Sequence, residues 1–173
     1  MNKTNTNITF KGSKLTVSGK ALREGDSMPP FTLTAQDMSD LKSDSYKGKI
    51  LIIASVPSLD TPLCSVETKR FNQLAQKLSS DVVILTVSMD LPFAQKRWCG
   101  KEGADHIQTG SDFKYRSFGK AYGVYIEEWG LLARAVFVVD RAGKITHLEY
   151  VPEVSSEPDY DAALANVGTL LKR

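Results

Sequence analysis

The segment Pro57-Ser58-Leu59-Asp60-Thr61-Pro62-Leu63-Cys64 separates a nearly continuous apolar run, residues 49–56, from an amphipathic run, residues 65–78. An apolar run, a tight polar turn and then helical periodicity predict a strand, a loop and a helix N-terminus. The helix shows Phe71, Leu74, Ala75 and Leu78 at i, i+3, i+4 and i+7, a single apolar stripe. Thr61 suits the N-cap, and Pro62 suits the first helical position, where a missing N–H costs nothing. That register puts Cys64 at the third helical position, where a capping box carries glutamate. A sulfur there faces unpaired backbone N–H groups and the positive end of the helix dipole, and both favour thiolate over thiol. The local sequence thus proposes an activated cysteine.

The rest of the chain limits what such a cysteine can serve. At 173 residues with 42% hydrophobic content, one domain spanning residues 1–173 with a proper core is expected. A net charge of +2, with acids and bases interleaved, gives no electrostatic case for nucleic acid or a membrane surface. No run approaches the roughly 18 apolar residues of a membrane span. Residues 1–20 are polar and lack the apolar core of a signal peptide, so a cytoplasmic protein is expected. Two cysteines are too few for a disulfide-stapled secreted framework.

Taken in order, two short alternating runs around a Gly12 turn predict an N-terminal β-hairpin at about residues 8–17. Residues 18–30 read as a loop, 31–34 as a short strand and 36–47 as a polar loop. Residues 49–56 read as a strand buried on both faces, and 82–89 as a second. The intervening helix makes this a right-handed crossover between parallel strands. Residues 91–101 are expected to form a helix starting near Pro92, with Gly100 and Gly103 loosening its end, and residues 113–122 a third helix ended by Gly123. Residues 133–139 and 144–150 flank a turn at Asp140-Arg141-Ala142-Gly143. Ser156-Glu157-Pro158-Asp159 then introduces a terminal helix. Strands alternating with helices, plus a late hairpin, predict an α/β sandwich with a central mixed sheet.

Cys99 lies 35 positions after Cys64, so the pair is not the C-x-x-C of dithiol oxidoreductases. In the loop-entropy description a bridge over that span restricts the unfolded chain by about 3–4 kcal/mol. Both cysteines are predicted on helices, so bridging requires local unwinding, which suits a cycle better than a staple. Arg134 sits in an otherwise apolar run, where a charge in a sheet core needs a partner. Its bland reading is a pair with a carboxylate. Its functional reading is a guanidinium beside Cys64 that holds a thiolate and polarises a bound oxygen. His106 and His147 match no zinc spacing, and there is no G-x-G-x-x-G or P-loop. Asp60, Glu67, Asp90 and Asp159 form no recognisable carboxylate pair. Phe93, Trp98 and Trp129 read as core or rim, with Phe93 and Trp98 also placed to shape an apolar pocket.

Pro57-x-x-x-Thr61-x-x-Cys64 resembles the P-x-x-x-T-x-x-C signature of peroxiredoxins. Residues 88–100, Ser88-Met89-Asp90-Leu91-Pro92-Phe93-Ala94-Gln95-Lys96-Arg97-Trp98-Cys99-Gly100, are similar to the resolving-cysteine segment of the bacterial thiol peroxidase subfamily. Ala133-Arg134-Ala135-Val136 and Glu157-Pro158-Asp159-Tyr160 also resemble segments of that subfamily. The resemblance implies a thioredoxin-like fold with an added N-terminal hairpin, and reduction of hydrogen peroxide and organic hydroperoxides. It implies Cys64 as the peroxidatic cysteine and Cys99 as its resolving partner in an intramolecular disulfide reduced by thioredoxin. Thr61 would bond the thiolate and the peroxide, Pro57 would shield the intermediate, and Arg134 would stabilise developing charge. The resemblance implies no metal, haem or flavin, and a homodimer. A dithiol–disulfide oxidoreductase acting on proteins and a non-enzymatic redox sensor are the alternatives.

Overall fold

The computed structural model describes residues 7–173; the first six residues, part of the polar stretch read as lacking a signal peptide, lie outside the described residues. The hairpin forms from β1 (Ile8–Phe10) and β2 (Ser13–Leu15), which pair antiparallel across a turn at Lys11-Gly12. Next come β3 (Val17–Ser18), β4 (Thr32–Thr34), β5 (Asp40–Lys42), a 3₁₀ turn (Ser43–Tyr46) and β6 (Ile50–Ser55). Helix α1 (Pro62–Ala75), β7 (Val82–Ser88), α2 (Pro92–Glu102) and β8 (Gln108–Ser111) follow. The chain ends with α3 (Ser117–Ala121), β9 (Tyr125–Ile126), β10 (Leu131–Leu132), β11 (Ala135–Val139), β12 (Ile145–Tyr150) and α4 (Tyr160–Leu171).

A mixed seven-stranded sheet in the order β12-β11-β6-β7-β8-β4-β5 is the frame. The expected crossover is present: β6 and β7 are parallel, as are β7 and β8. Strand β11 pairs antiparallel with both β6 and β12, so the late hairpin closes one edge. Side chains of β6 alternate between two cores, as the period of two requires. Ile50, Ile52 and Ala54 pack with Phe71 of α1 and Val167 and Leu170 of α4. Leu51 and Ile53 face the other way, towards Phe31, Phe118, Tyr122 and Phe137. Burying a side chain such as Phe71 contributes about 1.5–3 kcal/mol. Among the described residues, no helix is long and apolar enough to cross a membrane.

Several expectations need correction. Residues 36–47 are not a plain loop, because β5 pairs with β4 there and the 3₁₀ turn follows. As a short edge strand with mostly exposed side chains, β5 needs no apolar alternation. The helix expected over 113–122 is only α3, because Arg116 adopts φ 52° and breaks the helical path. Buried Asp112 instead accepts from the Phe118 and Gly119 N–H groups at 3.0 and 2.9 Å. Strands β8, β9 and β10 carry no local sequence signal: β8 is polar in sequence, and the other two are two residues long. Arg134 lies between β10 and β11 rather than inside a strand.

Candidate active site

Strand β6 delivers Pro57 and the loop, and α1 begins as the sequence predicts, with Thr61 at the N-cap and Pro62 at the first position. Thr61 does not cap with its side chain. Its hydroxyl donates to the Ser58 carbonyl at 2.8 Å, and its N–H reaches the same oxygen at 3.1 Å. Cys64 is fully buried, in the first turn of α1.

Arg134 reaches this sulfur from the residue before β11, where Ala135 is in register with Ser55 of β6. Its Nη2 donates to Cys64 Sγ at 3.3 Å. Nε and Nη2 also donate to the Val154 carbonyl at 3.2 and 3.1 Å, and Nη1 pairs with Glu67 Oε2. Arg134 thus has the carboxylate partner that the bland reading asks for, and it also lies beside the cysteine. Glu67 lies three residues after Cys64, on the same face of α1, which is the sequence signal by which it could have been found. Burial pushes the Glu67 carboxyl up to about 7, a shift that Arg134 offsets only in part. Its Oε1 has no hydrogen-bond partner among the described residues. Burial alone would pull the Arg134 guanidinium down, but Glu67 and Cys64 together raise it above its ordinary value. Desolvating such a pair costs about as much as the attraction returns, so the pair orients the fork more than it stabilises the fold.

Pro57, Thr61, Cys64 and Arg134 line one cavity of about 470 Å³. Its apolar walls come from Phe10, Leu63, Trp129, Leu131 and Val154, not from Phe93 or Trp98. Phe10 meets Trp129 edge-on, with ring centroids 5.1 Å apart, so the N-terminal hairpin supplies part of the wall. Phe93 is exposed, and Trp98 lines a separate groove with Arg97 and Lys101. The contribution of Phe10 and Trp129 was not legible, because each comes from an element remote in sequence from Cys64.

Cys99 lies outside this cavity, half-buried in the last turn of α2, and both cysteines are free thiols. Burial pushes the Cys99 thiol up, against opposing contacts from the Gln36 and Thr109 side chains. Its carbonyl accepts from the N–H groups of Gly103 and Ala104, and Gly103 closes the helix in the left-handed conformation at φ 62°. Of the two glycines expected to loosen this end, Gly103 caps it and Gly100 lies within the helix.

A redoxin family model matches residues 23–164. A thiol peroxidase of Oceanobacillus iheyensis is 53% identical over 161 residues, covering 93% of this chain and 98% of that protein. A thiol peroxidase of Bacillus subtilis is 46% identical over 165 residues, covering 95% and 98%. Among solved structures, a peroxiredoxin-like protein from Aquifex aeolicus superposes with a TM-score of 0.89 at 39% identity, covering 94% of this chain and 96% of that one. A thiol peroxidase from Chromobacterium violaceum shares the fold, with a TM-score of 0.85 at 23% identity, covering 97% and 96%. The sheet flanked by helices is thus the thioredoxin-like fold of these proteins, extended by the β1–β2 hairpin. With its family match, its fold and its cysteine motif in agreement, the chain belongs to the redoxin family and, within it, to the thiol peroxidases, enzymes of the peroxiredoxin superfamily.

Proposed function

We propose that the chain reduces hydrogen peroxide and organic hydroperoxides through Cys64, with Cys99 as the resolving thiol and thioredoxin as the reductant. The observation that carries this reading is the Arg134 fork held against Cys64 Sγ at the floor of the cavity. A guanidinium there is the counter-charge for a sulfur anion and for the oxygen that leaves.

In the first step Cys64 thiolate attacks one oxygen of the O–O bond. A sulfur–oxygen bond forms, the O–O bond breaks, and the departing alkoxide or hydroxide takes a proton to leave as alcohol or water. Cys64 is then a sulfenic acid. Cys99 attacks its sulfur, losing a proton and expelling water as the disulfide forms. Reduced thioredoxin exchanges into that disulfide, restores both thiols and departs oxidised. Pro57 and Thr61 shape the wall around the reacting oxygen. The apolar walls at Phe10, Trp129 and Leu131 support a place for hydroperoxides with an apolar substituent.

A homodimer, expected from the family resemblance, belongs to this proposal. A single domain over residues 1–173 and a cytoplasmic setting that keeps both cysteines reduced belong to the same reading.

Intact mass and peptide mapping before and after one equivalent of hydroperoxide test it. The expected result is a loss of two hydrogens in a Cys64–Cys99 bridge within one chain, reversed by thioredoxin. Oxygen added at Cys64 with Cys99 still free removes Cys99 from the mechanism. An unmodified Cys64 removes the whole reading.

A further inference from the structure

Strands β6 and β7 are parallel neighbours, so the Cys64 loop and the foot of the Cys99 helix leave the sheet side by side. Asp90 stands at that junction, two residues before α2 begins. Its Oδ1 accepts from Ser58 Oγ at 2.6 Å, and its Oδ2 accepts from the Leu59 N–H at 2.8 Å. Ser88 Oγ donates to the same Oδ2 at 2.7 Å and itself accepts from Gln95 Nε2 of α2 at 3.0 Å. The Asp90 carbonyl accepts from Ser111 Oγ of β8. The turn it grips is the one whose Ser58 carbonyl holds both the N–H and the hydroxyl of Thr61.

From this network we infer that Asp90 is a positioning residue, whose carboxylate latches the Cys64 loop to the foot of the Cys99 helix and holds the peroxide pocket assembled. The inference rests on the roles proposed above for Cys64 and Cys99. Attack on peroxide needs Thr61, Cys64 and Arg134 converged on one cavity. Disulfide formation needs the opposite: Cys64 leaves Arg134, and Cys99 leaves the side chains of Gln36 and Thr109. A carboxylate that grips the Cys64 loop from the chain just before α2, and is joined to Gln95 of α2 through Ser88, favours the first geometry and opposes the second. A residue that only stabilised the fold would not affect the two steps differently.

Asp90→Ala leaves the Leu59 N–H and two hydroxyls without their acceptor. Asp90→Asn keeps one oxygen for the Leu59 N–H and Ser88, and its amide can donate to Ser58 Oγ, so it restores most of the latch.

The test is stopped-flow tryptophan fluorescence of the full chain with hydrogen peroxide. The peroxide-dependent phase gives the oxidation of Cys64, and a following peroxide-independent phase gives disulfide formation. A Cys99→Ser background isolates the first. We expect Asp90→Ala to slow the first phase about tenfold, roughly 1.4 kcal/mol of barrier, without slowing the second. Asp90→Asn should return the first phase to within about threefold of wild type. An unchanged first phase in Asp90→Ala, equal slowing of both phases, or no recovery in Asp90→Asn overturns the inference. Should Asp90→Ala fail to fold, Ser58→Ala decides: slowing of the first phase alone supports the latch, and any other result overturns it. If wild type itself shows no peroxide-dependent phase that Cys64→Ser abolishes, it is the proposed function that fails.

Discussion

Trp98 Nε1 donates to Ser65 Oγ at 3.2 Å, so the residue before Cys99 is bonded to the residue after Cys64. This bond ties α2 to α1 while the two sulfurs face different partners, Cys64 towards Arg134 and Cys99 towards Gln36 and Thr109. A disulfide requires Cα atoms about 4.4–6.8 Å apart with converging Cβ vectors, so the proposed Cys64–Cys99 bridge is expected to draw both sulfurs from their partners and to disturb this contact. With Trp129→Phe, Trp98 is the one remaining tryptophan. Its emission should shift on addition of one equivalent of hydroperoxide and return on addition of a dithiol reductant. An emission spectrum indifferent to oxidation would separate Trp98 from the redox change.

Arg134→Lys keeps the charge and loses the fork. A lysine cannot serve Cys64 Sγ, Glu67 and the Val154 carbonyl in one geometry. The rate of Cys64 oxidation should fall about 10²–10³-fold, the usual consequence of removing a preorganised donor from a charge-developing site. Stopped-flow oxidation at fixed pH reads this directly. A rate within twofold of wild type would falsify the assignment of Arg134.

The buried Glu67 carboxyl gives a pH dependence of stability with a definite sign. Its folded value is raised by burial from 4.5 to about 7, so the folded chain holds this proton more tightly than the unfolded chain does. The group's contribution is fully present below pH 4.5 and is lost as pH rises towards 7, by at most about 3 kcal/mol. Urea unfolding of wild type and Glu67→Gln at pH 4.5, 5.5 and 7 should show wild type losing stability relative to the variant across that window. A constant difference between the two would mean that the carboxyl titrates alike in both states.

Phe10 should govern the size of substrate rather than the chemistry. It meets Trp129 edge-on at the cavity wall and lies away from Arg134's contacts with Cys64. Phe10→Ala is expected to lower kcat/KM for a bulky aromatic hydroperoxide about tenfold, in line with apolar pocket contacts. The value for hydrogen peroxide should change less than twofold. Equal losses with both substrates would move Phe10 from specificity to structure.

The hairpin that carries Phe10 is itself pinned through Glu153, which accepts from Thr9 Oγ1 at 3.2 Å and the Gly12 N–H at 3.0 Å. The Ser155 hydroxyl and N–H, with the Gly12 N–H, hold the Glu153 carboxyl down at about 2. Its contribution is therefore present above pH 4.5 and is lost as pH falls through about 2. Glu153→Gln should speed hydrogen exchange at the Gly12 amide near neutral pH, and unchanged exchange there would separate Glu153 from the hairpin.

What could be read in advance follows the range of each signal. The strand, turn and helix around Cys64 were legible because Thr61, Pro62 and the apolar stripe of α1 act within a few residues. The two-faced burial of β6 was legible from its unbroken apolar run. Strand β8 was not, since Gln108-Thr109-Gly110-Ser111 becomes a strand by pairing with β7 and not by its own pattern. The failure at α3 has a similar cause: its start is set by Asp112 and by Arg116 at positive φ, not by periodicity.

By itself, the sequence determined that Cys64 opens a helix after a buried parallel strand, because capping and hydrophobic period are short-range properties of neighbouring residues. It also marked Arg134 as a buried charge needing partners. Which partners it finds was decided by tertiary structure alone. The β11–β6 register and the packing of α1 bring Arg134, Cys64, Glu67 and the Val154 carbonyl to one point. The parallel exit of β6 and β7 likewise brings Asp90 to Ser58. Convergence of side chains from distant segments depends on strand order and register, which no local pattern in the chain encodes.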